Sequence, residues 1–166
     1  MRNSRARREF GPRRSATTSL SAITTDEATK CLVRVAGNEQ ETKKIRLQSL
    51  IILEQQIQER KGFEELIPTL GDLDPDVKGM AGIILSIEYI DEPEVLESLS
   101  VTESLVDAAL DAGLDSWIYR RIVRRLELIA EREFIRESHD ASELQIPGVR
   151  ADINNRITEW AAETFD

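Results

Sequence analysis

The stretch Leu70-Gly71-Asp72-Leu73-Asp74-Pro75-Asp76-Val77-Lys78 ends one apolar segment and opens another. Asp74 is placed to accept hydrogen bonds from the first unpaired amides of a following helix. Pro75 falls at the first helical position, where its missing N–H costs nothing. Asp76 adds negative charge at the positive end of the helix dipole. Beyond it, Val77, Met80, Ala81, Ile84 and Leu85 recur at helical spacing and present one apolar stripe to the preceding segment. The nonapeptide therefore predicts a helix, a tight polar turn and a second, longer helix.

The same rhythm extends in both directions. Ile45, Leu47, Leu50, Ile51 and Leu53 form one helical series, and Ile118, Ile122, Val123, Leu126 and Ile129 form another. No segment keeps a strict apolar/polar alternation, and no Asn-Gly or Asp-Gly hairpin turn is present, so the chain is expected to be all-α. Short apolar segments end at Gly37, Gly71 and Gly113, with spacings of 34 and 42 residues. These spacings fall within the range of two-helix solenoid repeats. The expected pairs are 26–36 with 40–59, 62–71 with 75–90, and 102–112 with 116–135. A final helix at about 150–164 carries Ile153, Ile157, Trp160 and Ala161 on one face, as expected of an element that closes the open end of a stack.

The Asp74-Pro75-Asp76-Val77-Lys78 turn resembles the inter-helix turn of HEAT/armadillo-type repeats. There an Asp-Pro-acid-Val-Arg-like turn leads into an inner helix with small residues at close-packed positions. The likeness is best over 62–90 and extends loosely over residues 26–136. The flanking pairs lack the proline; Gly113-Leu114-Asp115-Ser116-Trp117 keeps a cap in Asp115, whereas Gly37-Asn38-Glu39-Gln40 is degenerate. The resemblance implies a short α-solenoid of about three helix pairs, with a scaffold or adaptor role and a partner held on the inner-helix surface. It also implies that inner-helix cations, here Arg46, Lys78 and Arg120, pair with turn aspartates along the stack. An irregular helical bundle is the alternative fold.

The chain of 166 residues carries a net charge of −9, unevenly distributed. Residues 1–25 hold Arg2, Arg5, Arg7, Arg8, Arg13 and Arg14 against Glu9, a net of +5, and the rest of the chain is −14. This first segment has no helical or strand periodicity and too few apolar residues to offset its ordering entropy, so a disordered basic arm is expected. Four roles compete for it: nucleic-acid phosphate binding, organelle targeting, a phosphorylation or docking site, and an inert solvated tail. The expected organisation is the arm (1–25), a helical repeat domain (26–136), a polar linker (137–148) and a capping helix (149–166). A cytoplasmic location is expected, and no apolar run approaches the roughly 20 residues of a membrane span.

Candidate chemistry is sparse. Asp72, Asp74 and Asp76 begin like a calcium loop, but Val77 and Ile83 stand where such a loop needs Gly and Glu. One cysteine, Cys31, and one histidine, His139, leave no residue set for a Cys- or His-rich metal centre, and no Gly-rich phosphate loop occurs. The expectation is a non-enzymatic chain with no metal and no cofactor. The folded feature that stands out is Arg120, Arg121, Arg124 and Arg125, four guanidiniums that suit planar recognition of carboxylates or phosphates. The competing role is intramolecular pairing with Glu103, Asp107 and Asp111. These four, with Lys78 and Arg46, are the expected site for a protein or peptide partner, acidic in character. The runner-up function is nucleic-acid association through the six arginines of the arm.

Overall fold

The computed structural model describes residues 26–57, 63–135 and 143–165, and all the secondary structure among them is helical. The arm, the segment 58–62 and the first half of the expected linker, including His139, lie outside the described residues. The elements are α1 (Asp26–Ala36), α2 (Lys43–Gln56), a 3₁₀ helix (Phe63–Gly71), α3 (Pro75–Glu88), α4 (Pro93–Ser98), α5 (Val101–Leu110), α6 (Ser116–Ala130), a 3₁₀ turn (Glu143–Gln145) and α7 (Pro147–Phe165).

Helix α2 begins at Lys43 instead of residue 40, and three further differences from expectation trace to particular residues. Residues 63–71 wind as a 3₁₀ helix around Pro68, which has no N–H to contribute to an α-helical ladder. Its buried Phe63, Leu66 and Thr69 are spaced by three, the repeat of a 3₁₀ face. Helix α6 stops at Ala130 because Glu131 turns into the left-handed region (φ 49°). The Glu127 carboxylate then accepts the N–H groups of Phe134 (2.8 Å) and Ile135 (2.6 Å), and both side chains enter the core. Pro147 starts α7 instead of sitting in a connection, as its fixed φ favours at a first helical position. Helix α4 has no counterpart in the sequence expectations and buries only Leu96.

The centre of the molecule is α3. It packs against α2, the 3₁₀ helix, α5 and α6, and every residue from Gly79 to Ser86 is buried. A helix that is apolar all round has to be enclosed. Two glycines permit it: a Cβ on Gly79 would lie 2.5 Å from Ile122 Cδ1 of α6, and one on Gly82 would lie 2.8 Å from Leu105 Cδ2 of α5. The Asp74 side chain caps α3 by accepting the N–H groups of Asp76 (3.0 Å) and Val77 (3.3 Å). At the far end, Phe63 N–H reaches the Glu88 carboxylate at 3.1 Å. Helix α7 covers α5 with Ile153, Ile157 and Trp160, and the Trp160 ring packs on Phe134 at 5.6 Å between centroids. The buried Tyr119 hydroxyl donates to Asn154 Oδ1 (2.8 Å), tying α6 to α7.

Gly82→Val is expected to destabilise the protein by about 1–3 kcal/mol in urea unfolding, because the added side chain would have to displace the buried Leu105. Gly71→Ala, whose Cβ meets nothing within 4 Å, is expected to stay within about 0.5 kcal/mol of wild type. Equal stability of the two variants would contradict the close packing of α3 on α5.

Candidate functional site

The cations expected to form one partner surface are divided by the structure into internal ties and surface groups. Arg46 is a correction: it is 5% exposed and inaccessible to a partner. Its Nε donates to the Ala36 carbonyl (2.8 Å) at the end of α1, and its two Nη atoms engage both oxygens of Asp72 in the turn before α3. A charge buried this deeply has to be paired, and Arg46–Asp72 supplies the pair while joining α1, α2 and that turn. Lys78 is only partly exposed and pairs with the exposed Asp107 of α5. Of the acids expected to pair with the arginine cluster, Asp107 is taken by this lysine.

The turns are tied together in the same manner. Lys43 bridges to Asp74 (3.2 Å) and to the buried Asp76. Burial pulls the Lys43 pKa down, but its hydrogen bonds to Asp76 and Asp74 and the charges of these acids outweigh it, leaving it above the usual lysine value. Asp76 also accepts the N–H of Asp115 at 2.7 Å. Asp115 occupies the start of α6 without the side-chain cap expected of it. Arg120 is exposed and has no ion pair among the described residues. Its expected place in the ladder is taken by Arg150 of α7, which donates to the carbonyls of Asp111 (2.9 Å) and Leu114 (3.3 Å) and stacks 4.3 Å from the Tyr119 ring centroid. Burial raises the Tyr119 hydroxyl to about 12, with Arg150 opposing.

Arg124 is exposed and bonded to Glu127 (2.7 Å) on its own helix. Arg121 and Arg125 do come together, and with residues that the sequence did not single out. Arg121 bonds Glu54 of α2, contacts Met80 Sδ of α3 (3.7 Å) and lies 5.7 Å from the Trp117 ring centroid. Arg125 is half-buried, and its pKa is lowered by desolvation and by the charge of Arg121, while Glu54 raises it. The α2 and α6 side chains thus meet across the front of α3. One turn earlier they leave an open hollow of about 510 Å³ lined by Lys43, Lys44, Leu47, Gln48, Ile51 and Trp117.

Leu47 and Ile51 entered the sequence reading as part of one apolar series. At 100° per residue they lie opposite the flank that buries Ile45, Ser49, Ile52, Leu53 and Gln56. The signal was an apolar arc wider than one buried face needs. Trp117, 41% exposed, stood in the sequence only as the residue after a capping turn. The charges divide in the same way. Helices α2 and α6 together carry seven cations and two acids, whereas residues 63–115 hold 14 acids and Lys78 alone.

Among the described residues no group of three metal-ligating side chains occurs, and no helix is long and apolar enough to cross a membrane. Cys31 is half-buried on α1. The six arginines of residues 1–14 lie outside the described residues. Arg46→Met is expected to cost about 3–5 kcal/mol, since it leaves Asp72 buried without its counter-charge. Adding Asp72→Asn, which keeps an acceptor for the Asp74 N–H, is expected to recover part of that loss. Urea unfolding of the two variants checks this, and an undiminished Arg46→Met protein would contradict it. Comparison with protein-family models, with curated proteins and with solved structures found no match to this chain.

Proposed function

We propose that this chain is a non-enzymatic binding module: a short α-solenoid of three HEAT-like helix pairs, closed by α7, that docks a partner protein along the α2/α6 front. The first pair is α1 with α2, the second the 3₁₀ helix with α3, and the third α5 with α6. Support for the solenoid comes from the pairwise packing of these elements and from the charged ties Arg46–Asp72 and Lys78–Asp107, which run from each inner helix to the next pair.

The observation that carries the functional reading is the apolar hollow formed by Leu47, Ile51 and Trp117. A half-exposed tryptophan over two aliphatic side chains is the kind of anchor pocket on which binding energy concentrates. The surface differs from the one expected from sequence. The middle inner helix is enclosed, so a partner meets the flanks of α2 and α6, with Arg121 one turn and Arg125 two turns beyond Trp117 on α6 and the exposed Arg120 and Arg124 beside them.

Selection of short peptides from a random displayed library against the full chain tests this. Enriched peptides are expected to lose about tenfold or more in affinity to Trp117→Ser and Ile51→Ser variants, whose helical circular dichroism stays unchanged. Peptides that bind the variants as well as the wild type, or no enrichment at all, would overturn the proposal.

A further inference from the structure

The hollow has cations at both ends and a shortage of acids. Lys43 and Lys44 stand at the N-terminal end of α2, and Lys44 is exposed without an ion pair among the described residues. Beyond Trp117, Arg121 bonds Glu54, and Arg125, one turn further along α6, feels the charge of that same carboxylate, two guanidiniums to one acid. Arg125 is half-buried and has no hydrogen bond of its own among the described residues. An excess cation that has already lost part of its water gains more from a new carboxylate than a fully solvated one does.

Resting on the docking surface proposed above, we infer that its occupant is an acidic amphipathic helix of a partner protein. The helix sets an apolar side chain into the Leu47–Ile51–Trp117 hollow, one carboxylate on Arg125 and another on Lys44. The spacing fits. Trp117, Arg121 and Arg125 follow one another at single-turn intervals, so the hollow and Arg125 are about 12 Å apart along α6 at roughly 1.5 Å per residue. An acid about seven or eight positions from the apolar anchor spans that distance on a partner helix. The remaining surface supports the same choice. Twelve of the 14 acids of residues 63–115, all but the buried Asp72 and Asp76, reach the surface there; they repel an acidic segment and, among the described residues, leave the α2/α6 front as its landing place. The Arg–carboxylate contact supplies bidentate geometry as well as charge.

The test uses a labelled amphipathic Leu/Glu helix, its Gln and Lys counterparts and a single-stranded oligonucleotide, measured by fluorescence anisotropy on the full chain. The Glu peptide is expected to bind about tenfold more tightly than the Gln peptide, and the Lys peptide is expected not to bind. Arg125→Gln and Lys44→Gln each weaken the Glu peptide while sparing the Gln peptide, and Glu54→Gln strengthens the Glu peptide by releasing the arginines from their internal competitor. If Glu and Gln peptides bind equally and both are lost in Trp117→Ser, the acidic occupant is overturned and the docking surface stands. If the Glu peptide binds Trp117→Ser undiminished, the surface falls as well. An oligonucleotide that binds more tightly than the Glu peptide and competes with it overturns the protein occupant.

Discussion

Helix α3 buries apolar side chains on all its faces, and this sets where everything else must lie. With Val77, Met80, Ala81, Ile83, Ile84 and Leu85 all removed from water, no arrangement that leaves one side of the helix open can recover the hydrophobic stabilisation of the others. The 3₁₀ helix and α5 cover one side, α2 and α6 the other. Gly79 and Gly82 bring α6 and α5 within a side chain's thickness of the α3 backbone. The front therefore closes over α3, and Arg121 spans it by touching Met80 of α3 and Glu54 of α2. The hollow beside Trp117 is what remains open where that closure ends.

Hydrophobic burial is non-directional, so it does not by itself choose the register in which these helices stack. The charged ties are specific where burial is not. Arg46 reaches only the end of α1 and the Asp72 turn, Asp76 holds both Lys43 and the Asp115 amide, and Arg150 brings α7 to the turn between α5 and α6. A shift of one helical turn would strand Arg46 or Asp76 in the core without a partner, a cost of several kcal/mol. This network also divides the cations into those fixed inside and those, such as Lys44, Arg120 and Arg124, exposed at the surface.

The order of helices was legible because its signals are local. The Asp74-Pro75 start of α3 is written in two residues, and the apolar series that mark α2, α3 and α6 need only helical spacing. Local patterning likewise placed Ile153, Ile157 and Trp160 on one face of the last helix. The misses required information from elsewhere in the chain. Pro68 and Pro147 are ambiguous by themselves: one reshaped a helix and the other began one. The end of α6 depends on Glu127 reaching forward to Phe134 and Ile135, a side chain that otherwise reads as a surface acid. The arginines were visible as a cluster, but their fates were not. Arg121 meets Glu54, 67 positions away, and nothing in either local sequence announces the pair. Leu47 and Ile51 belong to the same apolar series as the buried Leu50 and Leu53, and the series does not say that they stay only partly buried beside Trp117.

The enclosed central helix and the helices that cover it are separable by experiment. Native-state amide hydrogen exchange, followed as denaturant is raised through the pre-transition range, reads the free energy of each local opening. The account predicts that the amides of Ile83, Ile84 and Leu85 exchange only through global unfolding and are among the slowest in the protein. Exchange of these amides through a local opening, faster than the centres of α2 and α6, would contradict the enclosure of α3 and with it the placement of the proposed docking surface.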